Sequence, residues 1–196
     1  MLNRQTFLPI LLGIVIGIAS FYPFTYTNPI SMSLIGGIKR NQWMTHFDPS
    51  MKSQNLWLRN YVAFVGLLGS VRPEIIYLES IRDDENEKFI GDHDYILKGN
   101  SPNCRYWSFV IYDIENRRIE PFEETVVSSY RIPIQDDGTY EIILTAHPES
   151  YPGKQIINHS GKKFTLTMRI YGPDLGYYKD KESIPVASIK KVRPHG

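Results

Sequence analysis

The sequence predicts a mainly β fold: a jelly-roll-like β-sandwich with one packed helix, preceded by a single N-terminal transmembrane helix. Three observations carry this expectation. Residues 104–113, CRYWSFVIYD, form a strand-like run that is apolar on both faces. From residue 74 onward, about seven short strand patterns are separated by turn signals. Residues 7–26 are about twenty mostly apolar residues, enough to cross a bilayer core as a helix.

The N-terminal run lies in a stretch with no charge between Arg4 and Lys39. Arg4 in a short tail favours an N-terminus inside the cell. The rest of the chain would then lie on the extracytoplasmic, periplasmic side of the cell membrane. The alternative is a cleaved signal peptide with its apolar region at residues 7–18 and the small residues Gly17 and Ala19 before the cut. Apolarity that continues past Ala19 to Phe24 favours an uncleaved anchor. The expected organisation is a tail and anchor at 1–26, a juxtamembrane linker at 27–42 and an exported β-domain at 43–196.

In the linker, Pro, Ser and Gly without charge indicate irregular chain. From Ser50 or Ser53 to Ser70 the pattern turns helical: Leu56, Trp57, Tyr61, Phe64, Val65 and Leu68 recur at three- and four-residue spacing. Pro73 stops that helix, and its expected role is packing on the sheet. Strands follow at 74–81 and 89–97, with a charged turn between them. After a loop at 98–103 comes the run at 104–113. Its odd positions Trp107, Phe109 and Ile111 share one face, while Tyr106, Ser108, Val110 and Tyr112 share the other. Further strands are expected at 125–132, at 139–146 after the Asp137-Gly138 turn, and at 184–192. Residues 148–161 read as a long loop. Residues 164–171 alternate cleanly, with Phe164, Leu166, Met168 and Ile170 inward.

Composition excludes several functions. A net charge of +1 without a basic cluster argues against nucleic acid as a partner. The lone cysteine, Cys104, excludes an intramolecular disulfide and a Cys-rich zinc site. No phosphate-cradling glycine loop is present, and no cofactor is expected.

Several motifs resemble a known family. They are Glu74-Ile75-Ile76-Tyr77, Ile90-Gly91 through Tyr95, the W-S-x-x-x-Y-D run at 107–113, Asp137-Gly138, and F-x-L-x-x-R-x-Y-G-P at 164–173. Together they resemble the bacterial domain of unknown function 1214, in a short membrane-anchored form, across roughly residues 43–192. The resemblance implies a mostly β, jelly-roll-like fold. It also implies kinship with proteins that often accompany the domain of unknown function 1254, which this chain lacks. It brings no catalytic residues. Gln155-Ile156-Ile157-Asn158 stands where many members have an Asn-Trp-Leu-Pro run.

Asp92-His93-Asp94 is the most metal-like triplet. On a strand the two carboxylates would share one face and His93 the other, so the three do not converge locally. No metal site is therefore assigned. Asp83, Asp84 and Glu85 sit in a turn, where carboxylates are usually solvated. Ser108 lacks a nucleophile elbow. Asn158-His159-Ser160 matches a glycosylation sequon. Two functions stay open. One is a non-enzymatic envelope protein that binds a protein, glycan or lipid outside the membrane, held to the membrane by residues 7–26, with a homo-oligomer among the partners. Its expected binding residues are Tyr106, Ser108 and Tyr112, whose hydroxyls need partners if buried, or the loop at 148–161. The other is an enzyme whose site is assembled from distant loops, with His93, His147 and His159 beside carboxylates.

Overall fold

The alternating strands assemble into two sheets around one apolar core. The computed structural model describes residues 4–25, 38–45 and 74–192. Among them lie helix α1 (Arg4–Thr25), strands β1 (Ile38–Arg40), β2 (Trp43–Thr45), β3 (Ile75–Ser80), β4 (Asp94–Asn100), β5 (Cys104–Asp113), β6 (Val126–Ser128), β7 (Thr139–Thr145), β8 (Ile156–Asn158) and β9 (Phe164–Pro173), the short helix α2 (Gly176–Lys179), and β10 (Ser188–Val192). The six-stranded sheet runs β1-β2-β3-β9-β5-β6 and the four-stranded sheet runs β10-β4-β7-β8.

The expected alternation is realised where the sheets meet. Trp107, Phe109 and Ile111 of β5 are buried with Phe164, Leu166, Met168 and Ile170 of β9. They meet the facing sheet directly: the Trp107 ring lies 4.7 Å from that of Tyr140 on β7. β5 is an interior strand between β9 and β6, and Ser108 and Val110 on its other face are buried too. Trp43 on β2 closes one flank. It is 1% exposed, and its indole N–H donates to the Ala187 carbonyl at 2.7 Å.

The transmembrane expectation is corrected: among the described residues, no helix is long and apolar enough to cross a membrane. Although α1 has 22 residues, it begins with Arg4, Gln5 and Thr6. The single-pass membrane assignment falls with it. The jelly-roll detail is also corrected. A jelly roll has eight strands in two Greek keys, whereas here six strands face four and β7 pairs with β8 in parallel. The expected helix at 53–70 lies outside the described residues.

Strand edges shift for local reasons. The strand expected at 89–97 starts only at Asp94, because residues 91–93 form a turn whose Gly91 lies against the backbone of Gly161. The loop expected at 148–161 contains β8, a three-residue strand beside β7. The stretch assigned to the linker contributes β1, which pairs with β2.

Candidate functional site

An open cleft of about 590 Å³ lies where the turn before β4 meets the chain after β8. Gly91, Asp92, Asp94, Ala146, His147, Asn158, Ser160 and Gly161 line it. Its construction starts from three stacked rings. Phe164, at the start of β9, is sandwiched between Phe89 (4.8 Å, interplanar 3°) and His159 (5.1 Å, 15°). Tyr95 meets Phe164 edge-on at 5.8 Å. The stack holds His159 inward, so its chain neighbours Asn158 and Ser160 are left to face the cleft.

The turn at 158–161 is fixed by its own polar groups. Asn158 Oδ1 accepts from the Ser160 amide at 2.8 Å, and Asn158 Nδ2 donates to Glu124 at 2.7 Å. Ser160 has φ 52° and Gly161 φ 68°, a left-handed pair that turns the chain back toward β9. This turn meets Gly91 at backbone distance. A Cβ at Gly91 would lie 1.8 Å from the Gly161 carbonyl oxygen. Close approach of two glycines therefore joins the two sides of the cleft.

Asp94 provides the buried charge. It is 7% exposed, and one of its oxygens accepts from the Tyr151 hydroxyl at 2.8 Å. Burial, with the Asp94 carboxylate second, pushes the Tyr151 hydroxyl up to about 12, so Tyr151 stays a donor. Asp92 also lines the cleft, from the turn before β4 and not from the strand on which the shared-face reading placed it.

The three histidines gather at this end in different roles. His159 is fully buried, and burial lowers its pKa while Asp94 pulls the other way. Its Nε2 lies 3.2 Å from the His93 carbonyl, and its Nδ1 is buried without a partner. His147 stands at the rim with a 70% exposed side chain, its Nδ1 3.4 Å from Glu149. The rings do not present convergent ligating atoms. Among the described residues, no group of three or more His, Cys, Asp or Glu could hold a metal ion.

The tyrosine face of β5 is a separate feature. Tyr106 lies 5.4 Å from Tyr171 on β9 and 5.4 Å from Tyr130, which is 81% exposed. Tyr112 accepts a hydrogen bond from Arg169. Tyr106 and Tyr112 are half-buried, but Ser108 is 3% exposed and presents little surface. Glu79 on the same sheet is pushed up to about 6 by burial, against the opposing pull of Arg169.

The sequence singles out Asp92, Asp94 and all three histidines, and names the loop at 148–161 as a binding surface; that loop holds Tyr151, Asn158, Ser160 and Gly161, without these residues being distinguished within it apart from the sequon at 158–160. Gly91, at the close crossing of the two turns, is not singled out as part of a site.

A family model described as "Protein of unknown function (DUF1214)" matches residues 74–175, more than half of the chain. Among solved structures, the chain is similar to the VPA0106 protein from Vibrio parahaemolyticus. That match has a TM-score of 0.58 and 23% identity, covering 73% of this chain and 37% of that one. It is also similar to an uncharacterized protein from Burkholderia cenocepacia, with a TM-score of 0.47 and 16% identity, covering 93% of this chain and 43% of that one. The chain therefore spans less than half the length of either structure. The Vibrio likeness bears on the fold alone. No curated protein matches the chain.

Proposed function

Because the chain belongs to the DUF1214 family, whose description assigns no activity, we propose its function from its own cleft: a non-enzymatic domain that binds a glycan between turns 91–94 and 158–161. The lining carries this reading. Asp92, Asp94, Asn158, Ser160 and the backbone at two glycines offer donors and acceptors, while Ala146 is the one apolar side chain among the lining residues. A hydroxyl-rich ligand satisfies such a wall, because each acceptor finds an O–H and each amide N–H an oxygen. A lipid chain would leave those groups unpaired at a cost. The concave shape suits a ligand end better than a flat protein surface.

The enzyme alternative has less support. The sealed ring of His159 cannot reach a ligand, and His147 is solvated at the rim. The same reading puts the domain on the extracytoplasmic side of the cell envelope, where polymeric glycans lie. The Tyr106, Tyr130 and Tyr171 strip is a second, shallower surface.

The test is a binding screen of the full chain against immobilised oligosaccharides, neutral and amino-bearing. We expect binding that Asn158→Ala weakens and Tyr130→Ala leaves unchanged. Binding lost in Tyr130→Ala but kept in Asn158→Ala would move the site to the tyrosine strip. No binding to any sugar would overturn the glycan reading.

A further inference from the structure

We infer that the wall of the cleft at 158–161 is a pH-sensitive latch: protonation of His159 in mild acid drives its ring out of the core and opens the turn that carries Asn158 and Ser160. The device is independent of which ligand the cleft takes. It starts from one ring, fully buried and stacked on Phe164 at 5.1 Å. His159 Nε2 lies 3.2 Å from the His93 carbonyl oxygen. A carbonyl can only accept, so Nε2 carries the proton of the neutral ring. Nδ1 is then bare, and it is buried without a partner. A second proton can go only there. It would create a buried donor with no acceptor and a full charge closed off from water, both of which are costly. The ring escapes that cost by turning out to solvent.

The surroundings do not rescue the charged ring. Burial holds the His159 pKa down; the Asp94 carboxylate pulls it up, and charge on His147 pushes it down again. Asp94 is already engaged by the Tyr151 hydroxyl. His93 offers its carbonyl, and its own Nδ1 is also buried without a partner. Asp92 before β4 and Lys162 and Lys163 before β9 are exposed. His147 pairs with Glu149, and Glu124 accepts from Asn158. None of these groups puts an acceptor on His159 Nδ1.

The turn can open without unpicking either sheet, because β8 ends at Asn158 and β9 begins at Phe164. A few bonds hold it closed. The His159 amide donates to Thr145 at 3.1 Å, the Lys162 amide donates to His159 at 3.0 Å, and the Ser160 hydroxyl donates to the Glu120 carbonyl at 2.7 Å. Local openings of this size sit at the low end of a protein's stability range. Departure of the ring carries Asn158 and Ser160 away from Asp92 and Asp94 and takes down one wall of the cleft. Above about pH 6.5, the ordinary imidazole value, neither state takes the proton and the closed turn keeps its full stability. Below it the open turn binds a proton that the closed turn refuses. Opening therefore grows by about tenfold per pH unit until the closed ring titrates too.

Amide hydrogen exchange on the full chain, corrected for the pH dependence of exchange itself, reads the opening. From about pH 7.5 to about 5.5, protection of the His159 and Lys162 amides should fall by up to about tenfold, while β5 and β9 keep theirs. His159→Phe keeps a ring on Phe164 but cannot take the proton, so its protection should not change with pH. His147→Gln, at the solvated rim, should keep most of the dependence. Magnetic resonance of the wild-type chain guards against a His159→Phe chain that fails to fold: the closed-state imidazole signal of His159 should hold its shift over the same range. A change under about twofold, or the same dependence in His159→Phe, would overturn the latch. So would a His159 ring that titrates while the turn stays protected, a dependence abolished by His147→Gln, or a simultaneous loss of protection across β5 and β9.

Discussion

Replacing Gly91 by Ala tests the architecture of the cleft most directly. A methyl group at this position would lie 1.8 Å from the Gly161 carbonyl oxygen, 2.1 Å from its carbon and 2.7 Å from the Lys162 nitrogen. All three atoms are backbone, so no side chain can rotate away. Restoring ordinary contact needs the turns to part by about 1.5 Å, against packing that resists compression. Two sets of bonds oppose that shift. The His159 amide donates to Thr145 at 3.1 Å, and the Lys162 amide donates to the His159 carbonyl at 3.0 Å. Overpacking in a well-filled site costs about 1–3 kcal/mol, and a clash with fixed backbone should reach the upper end. Urea denaturation of the full chain, followed by tryptophan fluorescence, measures the loss. Gly17→Ala is the control, since a Cβ there meets nothing within 4 Å. A loss below about 0.5 kcal/mol at Gly91, within the range of ordinary surface changes, would refute the close crossing of the two turns.

Two further outcomes follow from burial. Trp107→Ala should cost about 3–5 kcal/mol, because the indole is 2% exposed and packs 4.7 Å from the Tyr140 ring; a loss under about 1 kcal/mol in the same denaturation assay would remove Trp107 from the core. Glu79 has its folded pKa raised from 4.5 to about 6, so between these values the folded chain holds the proton more tightly than the unfolded one, and stability should fall as pH rises through this window. The fall is up to about 2 kcal/mol, and Glu79→Gln should flatten it; an unchanged slope in that variant would show that Glu79 does not titrate this way.

Much of the sheet core was legible because period-two alternation is a local signal. Residues 104–113 and 164–171 each carry an inward face that reads directly from the sequence, and both faces are buried as expected. Three short strands were not legible. β1, β2 and β8 have three residues each, too few to show a period. Their backbone is organised by pairing with distant chain, as when Ile156 aligns with Ile143. The start of β4 failed for a related reason. Phe89 and Ile90 look like strand by composition, but Phe89 is recruited into the ring stack on Phe164, 75 positions away in sequence by number (164 − 89). Tertiary packing overrode propensity there.

The candidate site shows the same division between local and distant information. Asp94 opens β4, whereas Asp92 lies in the turn before it, so strand alternation alone does not set where the pair faces. That they face a cleft depends on the second turn, which approaches this closely because position 91 lacks a Cβ. His159 illustrates how the two combine. A histidine between two polar residues in a turn reads as exposed. Here its ring completes a stack under the cleft, and its inward turn points Asn158 and Ser160 outward. This histidine therefore acts by positioning its neighbours. The groups left to meet a ligand are the plain polar side chains on either side of it.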